Sequence, residues 1–192
     1  RAAEFGASEL QSYLEKITGC RLEIVASPTA TVPIKIYVGE SEPARQAGGT
    51  AEGSERDSFR MVSGKDWLAL VGNDLEFTPR EPWARHHTQW QQEKHEQWEK
   101  LAGHPWRNPV GASLYKDYNR QLDFWSFDHR GSLNAVYTFL RDIGVRWYMP
   151  GELGEILPET RDIALPKVDR TVSPEFEVRS VSRPLISSKE MS

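Results

Sequence analysis

Residues 131–151 read GSLNAVYTFLRDIGVRWYMPG, and this stretch decides the fold. Leu133, Val136, Tyr137, Leu140 and Ile143 recur at the three- and four-residue steps of an amphipathic helix, so one face is apolar and needs a sheet to cover it. Ser132 is placed to cap the N-terminus by accepting from backbone donors that have no partner within the helix. Gly144 suits the left-handed position past the end, and Arg141 lies in the last turn, where the helix dipole favours a cation. Val145–Met149 is β-branched and aromatic, which suits a strand, and Pro150-Gly151 ends it. The expectation is a helix over 132–143 packed on the sheet that strand 145–149 joins.

Working outward toward the N-terminus, Phe59–Ser63 and Trp67–Val71 flank Gly64-Lys65-Asp66 at hairpin spacing. Ile34–Val38 is almost continuously apolar, which predicts a central strand stopped by Gly39. Arg21–Val25 alternates and predicts a further strand, with a turn at Ser27-Pro28. Ala3, Ala7, Leu10, Leu14 and Ile17 predict a helix over 2–18, ended by Gly19. Residues 40–58, rich in Gly, Glu and Ser, read as a surface loop or a weak helix. Toward the C-terminus, Glu155-Ile156-Leu157-Pro158 and Asp162–Leu165 read as two short edge strands, each followed by proline. Val172–Ser182 alternates again. The sum is an α/β (α+β) two-layer sandwich, a mixed sheet with helices on one face. It forms one domain over 1–182, with 183–192 as a linker.

A chain of 192 residues with net charge −4 and a pI near 5.8 has no basic footprint for nucleic acid. No apolar run approaches the roughly 18 residues that cross a bilayer. Cys20, the single cysteine, excludes an internal disulfide. The chain opens in helical style, RAAEFGASEL, with no signal peptide, which predicts a piece of a longer protein.

Residues 75–130 differ in composition from their surroundings and read as an insertion, mainly helical, in a smaller core. They hold five of the seven tryptophans (Trp83, Trp90, Trp98, Trp106 and Trp125) and all five histidines (His86, His87, His95, His104 and His129). Thr78, with Pro79 next and Glu81 three positions on, resembles a capping box. Trp83, His87, Trp90, Lys94, Trp98 and Leu101 would share one side of that helix, which Gly103 and Pro105 stop; Trp106 to Phe127 reads as an ordered loop. Flat indoles stack on sugar rings or fill domain interfaces. The five inserted tryptophans are therefore the candidate carbohydrate-binding or interface residues, against the plainer reading that they glue the insertion down.

No catalytic residue, metal site or cofactor follows from the pattern. His95 and Glu99 are four apart, but no HExxH motif occurs and the lone thiol is distant. Glycoside hydrolysis needs two carboxylates about 5–10 Å apart across a bond. Asp117, Asp123, Asp128, Glu152 and Glu155 are available, and spacing pairs none of them.

The succession AAEFGASELQSYLEKITG, IKIYVGES, FRMVSGKDWLALVG and GSLNAVYTFLRDIGVRWYMPGELGEILP resembles the N-terminal domain of bacterial glycosidase-like proteins related to α-glucuronidases. That domain is similar to the small α/β module preceding the barrel in β-hexosaminidases. The likeness covers about three quarters of the chain and skips the insertion. Its most specific parts are the Gly131–Tyr137 helix start and the Gly144–Tyr148 strand. The resemblance implies a non-catalytic accessory domain, bracing or shaping the active-site rim of a downstream barrel of about 250 residues in the same polypeptide. It implies that the catalytic carboxylates lie in that barrel, that the chain enters it near Ser182-Arg183-Pro184, and that the parent is an exported or cell-surface protein. The partners expected are that barrel and an oligo- or polysaccharide, with no nucleic acid and no membrane. Two other classes compete: an autonomous carbohydrate-binding module using the inserted tryptophans, and a self-contained hydrolase.

Overall fold

The computed structural model describes residues 1–27, 32–77, 96–97, 99–101, 103, 128–149 and 151–176, together with the backbone of 118–119 and 124–125. In chain order the elements begin with α1 (Ala2–Thr18), β1 (Lys35–Val38), α2 (Glu42–Gln46), β2 (Phe59–Ser63) and β3 (Trp67–Gly72). Short strands β4 (Asp74–Leu75), β5 (Tyr118–Asn119), β6 (Phe124–Trp125) and β7 (His129–Arg130) follow. The order closes with α3 (Gly131–Asp142), β8 (Arg146–Trp147), a 3-10 turn at Glu152–Gly154, β9 (Glu155–Ile156) and β10 (Asp169–Val172).

Four strands make one mixed sheet in the order β1-β3-β2-β10. β1 runs parallel to β3, from Lys35↔Trp67 to Val38↔Leu70, and β2 is antiparallel to β3 and to β10. Alternation along the hairpin then sorts the core, because successive strand residues face opposite ways. Phe59, Met61, Leu68 and Leu70 meet α1 and α3 through Leu10, Leu14, Val136, Phe139 and Leu140. Val62, Ala69 and Val71 face the other way, beneath Ala44 of α2 and Ala51. The expected α/β (α+β) architecture is therefore present, a mixed sheet with the two long helices on one face; the short α2 lies over the other. The segment over 40–58 is a lid for the second face, with α2 capped by Ser41.

Helix α1 has the predicted limits, ending on Gly19 at φ 76°. Its buried positions are Ala2, Gly6, Leu10, Tyr13, Leu14 and Ile17, so the apolar face lies one residue round from Ala3 and Ala7. The end of α3 also matches, with Gly144 at φ 109°. Ser132, however, is not its cap. The residue lies inside the helix, and its backbone N–H donates to Asp74 Oδ1 at 2.9 Å.

The strands depart further from expectation. Residues 21–25 form no ladder and stay exposed, which leaves β1 at an edge of the sheet rather than in its centre. Val145 is fully buried against the core, and the chain then turns away, so the expected strand over 145–149 shrinks to β8. β8 pairs only with β9, as Arg146↔Ile156 and Trp147↔Glu155, and does not join the main sheet. Trp147 accordingly lies on the helices and not in the sheet core. Residues 162–165 are not a strand; Ile163 and Leu165 pack against the core from irregular chain, and the edge strand is β10. Of the alternating stretch 172–182, Val172 ends β10, and 177–182 lie outside the described residues.

Candidate functional site

The insertion leaves the core after β3 and returns before α3, and its two ends are tied by the β4–β7 ladder, Asp74↔Arg130 and Leu75↔His129. Gly72 and Gly131 make this junction possible. A Cβ on Gly72 would overlap the Gly131 carbonyl carbon and the Ser132 nitrogen, and one on Gly131 would overlap the Ser58 oxygen and the Asn73 nitrogen. Side chains at either position would push β3 and α3 apart.

A cleft of about 240 Å³ opens at this junction, beyond the C-terminal ends of the parallel strands β1 and β3. In open α/β sheets this is the edge at which ligands collect. Glu40, Asp74, Glu76 and Asp128 line it, with Arg1 and His129.

Several carboxylates here hold backbone. Asp74 accepts from the Ser132 N–H, as above, and Asp57 accepts from the Arg130 N–H at 2.7 Å while adopting φ 59°. Asp128, only 4% exposed, accepts from the Phe77 N–H at 2.6 Å and from the Arg1 guanidinium at 3.3 Å. Glu40 accepts from the Ala51 N–H and the Thr50 hydroxyl. His129 Nδ1 lies 3.3 Å from Asn73 Oδ1. Burial pushes the Asp74 carboxyl up from its ordinary value, opposed by its bonding to Ser132. Asp57 and Asp74 staple the loops to the start of α3, and with Asp128 they order the neck of the insertion.

Among the sequence candidates, Trp83, Trp90, Trp98 and Trp106 lie outside the described residues, as do Asp117, Asp123, His86, His87, His95 and His104. Trp125 is described by its backbone alone, where β6 pairs with β5 as Tyr118↔Trp125; the stretch read as an ordered loop thus contains a small ladder. The helix expected from Thr78 also falls outside, except that 96–97 and 99–101 are helical and Gly103, at φ 71°, donates to the Glu99 carbonyl at 2.9 Å. Leu101, expected on the apolar side of that helix, is exposed. Asp128 lies in the cleft, whereas Glu155 bonds Tyr13 and Lys16 in the C-terminal half of α1, with the exposed Glu152 near the same Lys16. Among the described residues, no group of three or more His, Cys, Asp and Glu side chains could hold a metal, and no helix is long and apolar enough to cross a membrane.

Sequence reasoning missed Asp57 and Asp74, whose partners lie 73 and 58 residues away. It also missed an aromatic knot around Trp147, whose Nε1–H donates to the Tyr13 hydroxyl at 2.7 Å. Beside the knot, Tyr148 (73% exposed), Met149, Leu153 (97% exposed) and Ile156 stand in solvent. The one local signal of this exposure in the sequence is Pro150-Gly151, a turn mark, since turns run over the surface.

No family model, curated protein or solved structure matches the chain.

Proposed function

We propose that this chain is a non-catalytic accessory domain of an exported carbohydrate-active enzyme related to α-glucuronidases, bracing the active-site rim of a barrel in the same polypeptide. The observation that carries this reading is the 147–156 region. It places Tyr148, Met149, Leu153 and Ile156 at the surface of a hairpin fastened to the helix pair. Four exposed apolar side chains on one short hairpin suit an interaction surface. The cleft carboxylates point the same way, because Asp74, Asp128 and Glu40 each accept from a backbone N–H. The sequence resemblance supplies the class of neighbour.

The purified chain should turn over neither glucuronides nor neutral aryl glycosides. Turnover that Asp128→Asn abolishes would overturn the accessory reading. The concentration of tryptophan in 75–130 favours a second reading, direct glycan binding by the insertion. Stacking contributes about 1 kcal/mol per ring, so such binding would be weak, on the order of millimolar. Titration with acidic and neutral oligosaccharides, with and without residues 79–125, separates the two. Shifts that survive the deletion would remove the insertion from glycan binding.

A further inference from the structure

Tyr13 and Lys16, one turn apart on α1, both donate to Glu155: Tyr13 Oη to Oε1 at 2.7 Å and Lys16 Nζ to Oε2 at 2.8 Å. Trp147, across the β8–β9 ladder from Glu155, meets the Tyr13 and Tyr137 rings edge-on, with centroids 5.5 and 5.4 Å apart. Tyr137 is itself fixed on α3 by donating to Glu9 Oε2 at 2.7 Å. The hairpin that these groups hold has little ladder of its own, two residue pairs and the Tyr148 N–H to Gly154 carbonyl bond at 2.9 Å. A two-stranded hairpin of this size is marginal by itself. Its attachment to the helices therefore runs through side chains, and Glu155 receives two of the bonds.

We propose that the β8–β9 hairpin is a strap that opens from the α1–α3 pair as a unit, with Glu155 as its catch. Opening uncovers the Trp147 and Tyr13 rings beside Tyr148 and Met149, enlarging the docking face; that use, though not the opening itself, rests on the accessory reading above. The groups facing Glu155 are Tyr13 and Lys16 from α1 and the neutral Trp147 from β8. Glu152, in the turn before β9, stands near the Lys16 ammonium, and Tyr137 of α3, bonded to Glu9, reaches the site through Trp147. The bonds from Lys16 and then Tyr13 hold the Glu155 carboxyl below its ordinary value of 4.5. A depressed carboxyl stabilises fully above its ordinary value, and this contribution is lost as pH falls through the lower folded one, so acid releases the catch.

Hydrogen exchange of the whole chain, corrected for intrinsic rates, tests this on wild type, Glu155→Gln and Lys16→Met. At neutral pH, protection over 146–156 should fall about three- to tenfold in both variants, as for a partly exposed charged pair, while α1 and 131–142 keep theirs. As pH is lowered from neutral through the depressed folded value of Glu155, the wild type should fall to the variants' level. Unchanged protection in the variants, or protection lost only together with α1 and α3, overturns the proposal. Should Glu155→Gln fail to fold, Lys16→Met carries the same comparison. The measurement needs no partner domain, so its failure leaves the accessory reading standing, and turnover by the chain would leave the strap standing.

Discussion

Asp74 is where two demands on one carboxylate oppose each other. The Ser132 N–H and the start of α3 favour the anion, since a helix N-terminus carries partial positive charge. Burial favours the acid, and it is the larger influence, so the carboxyl is raised. A raised carboxyl contributes its stability below its ordinary value of 3.8 and loses it as pH rises through the folded value. At neutral pH the ionised form is therefore held against a desolvation cost. Asp74→Asn keeps an acceptor for Ser132 without the charge and should match or exceed the wild type in denaturant melts. Asp74→Ala should lose about 0.5–2 kcal/mol, the usual cost of a deleted cap. The Asn advantage should vanish in acid. An Asn variant as weak as Ala would mean that charge, not the acceptor, holds the helix. Ser132 looked like the cap because local spacing cannot show an acceptor 58 residues away.

Elements differ in how far their own residues determine them. α1 and α3 were legible because periodicity and a left-handed glycine are local properties, and Gly19 and Gly144 end them as expected. The β2–β3 hairpin was legible for the same reason, with the Gly64 N–H donating to the Trp67 carbonyl at 2.9 Å. The junction of β3 with α3 was not. Helix propensity says that Gly131→Ala gains about 0.5–1 kcal/mol. The close approach says otherwise, because the new methyl would meet backbone of Ser58 and Asn73, which cannot swing aside as a side chain can. Overpacking of this kind costs about 1–3 kcal/mol, so a net destabilisation is expected. A melting temperature at or above that of wild type would show that the backbones separate without cost.

For the whole molecule, the four-stranded sheet, α1 and α3 close their core without any described residue between 77 and 127. The β4–β7 ladder brings Leu75 and His129 together, and Asp128 bonds the Phe77 N–H, so the neck is already a closed loop base. Replacing residues 78–127 by a short Gly-Ser turn should therefore keep a single cooperative melt. It should also reduce the entropy of loop closure slightly, by about 0.6 kcal/mol for each halving of length. Loss of cooperative unfolding would show that the insertion belongs to the core, and it would count against its role as an accessory surface.

The chain's own pattern determined the layer architecture, the two long helices and their ends, and the central hairpin, since each rests on side-chain periodicity or on one glycine's backbone freedom. Outside that hairpin, which segments pair and where was decided only in three dimensions. Arg21–Val25 and 145–149 have the composition of strands, but a strand exists only where a neighbour offers hydrogen bonds. Val145 turns inward to the core while residues 146–149 leave it. The site was decided at the same level. Asp57, Asp74 and Asp128 are ordinary surface-type acids until the fold sets them against backbone donors from 51 to 73 residues away. Glu155, read as one carboxylate among several, becomes a catch only because α1 places Tyr13 and Lys16 opposite it.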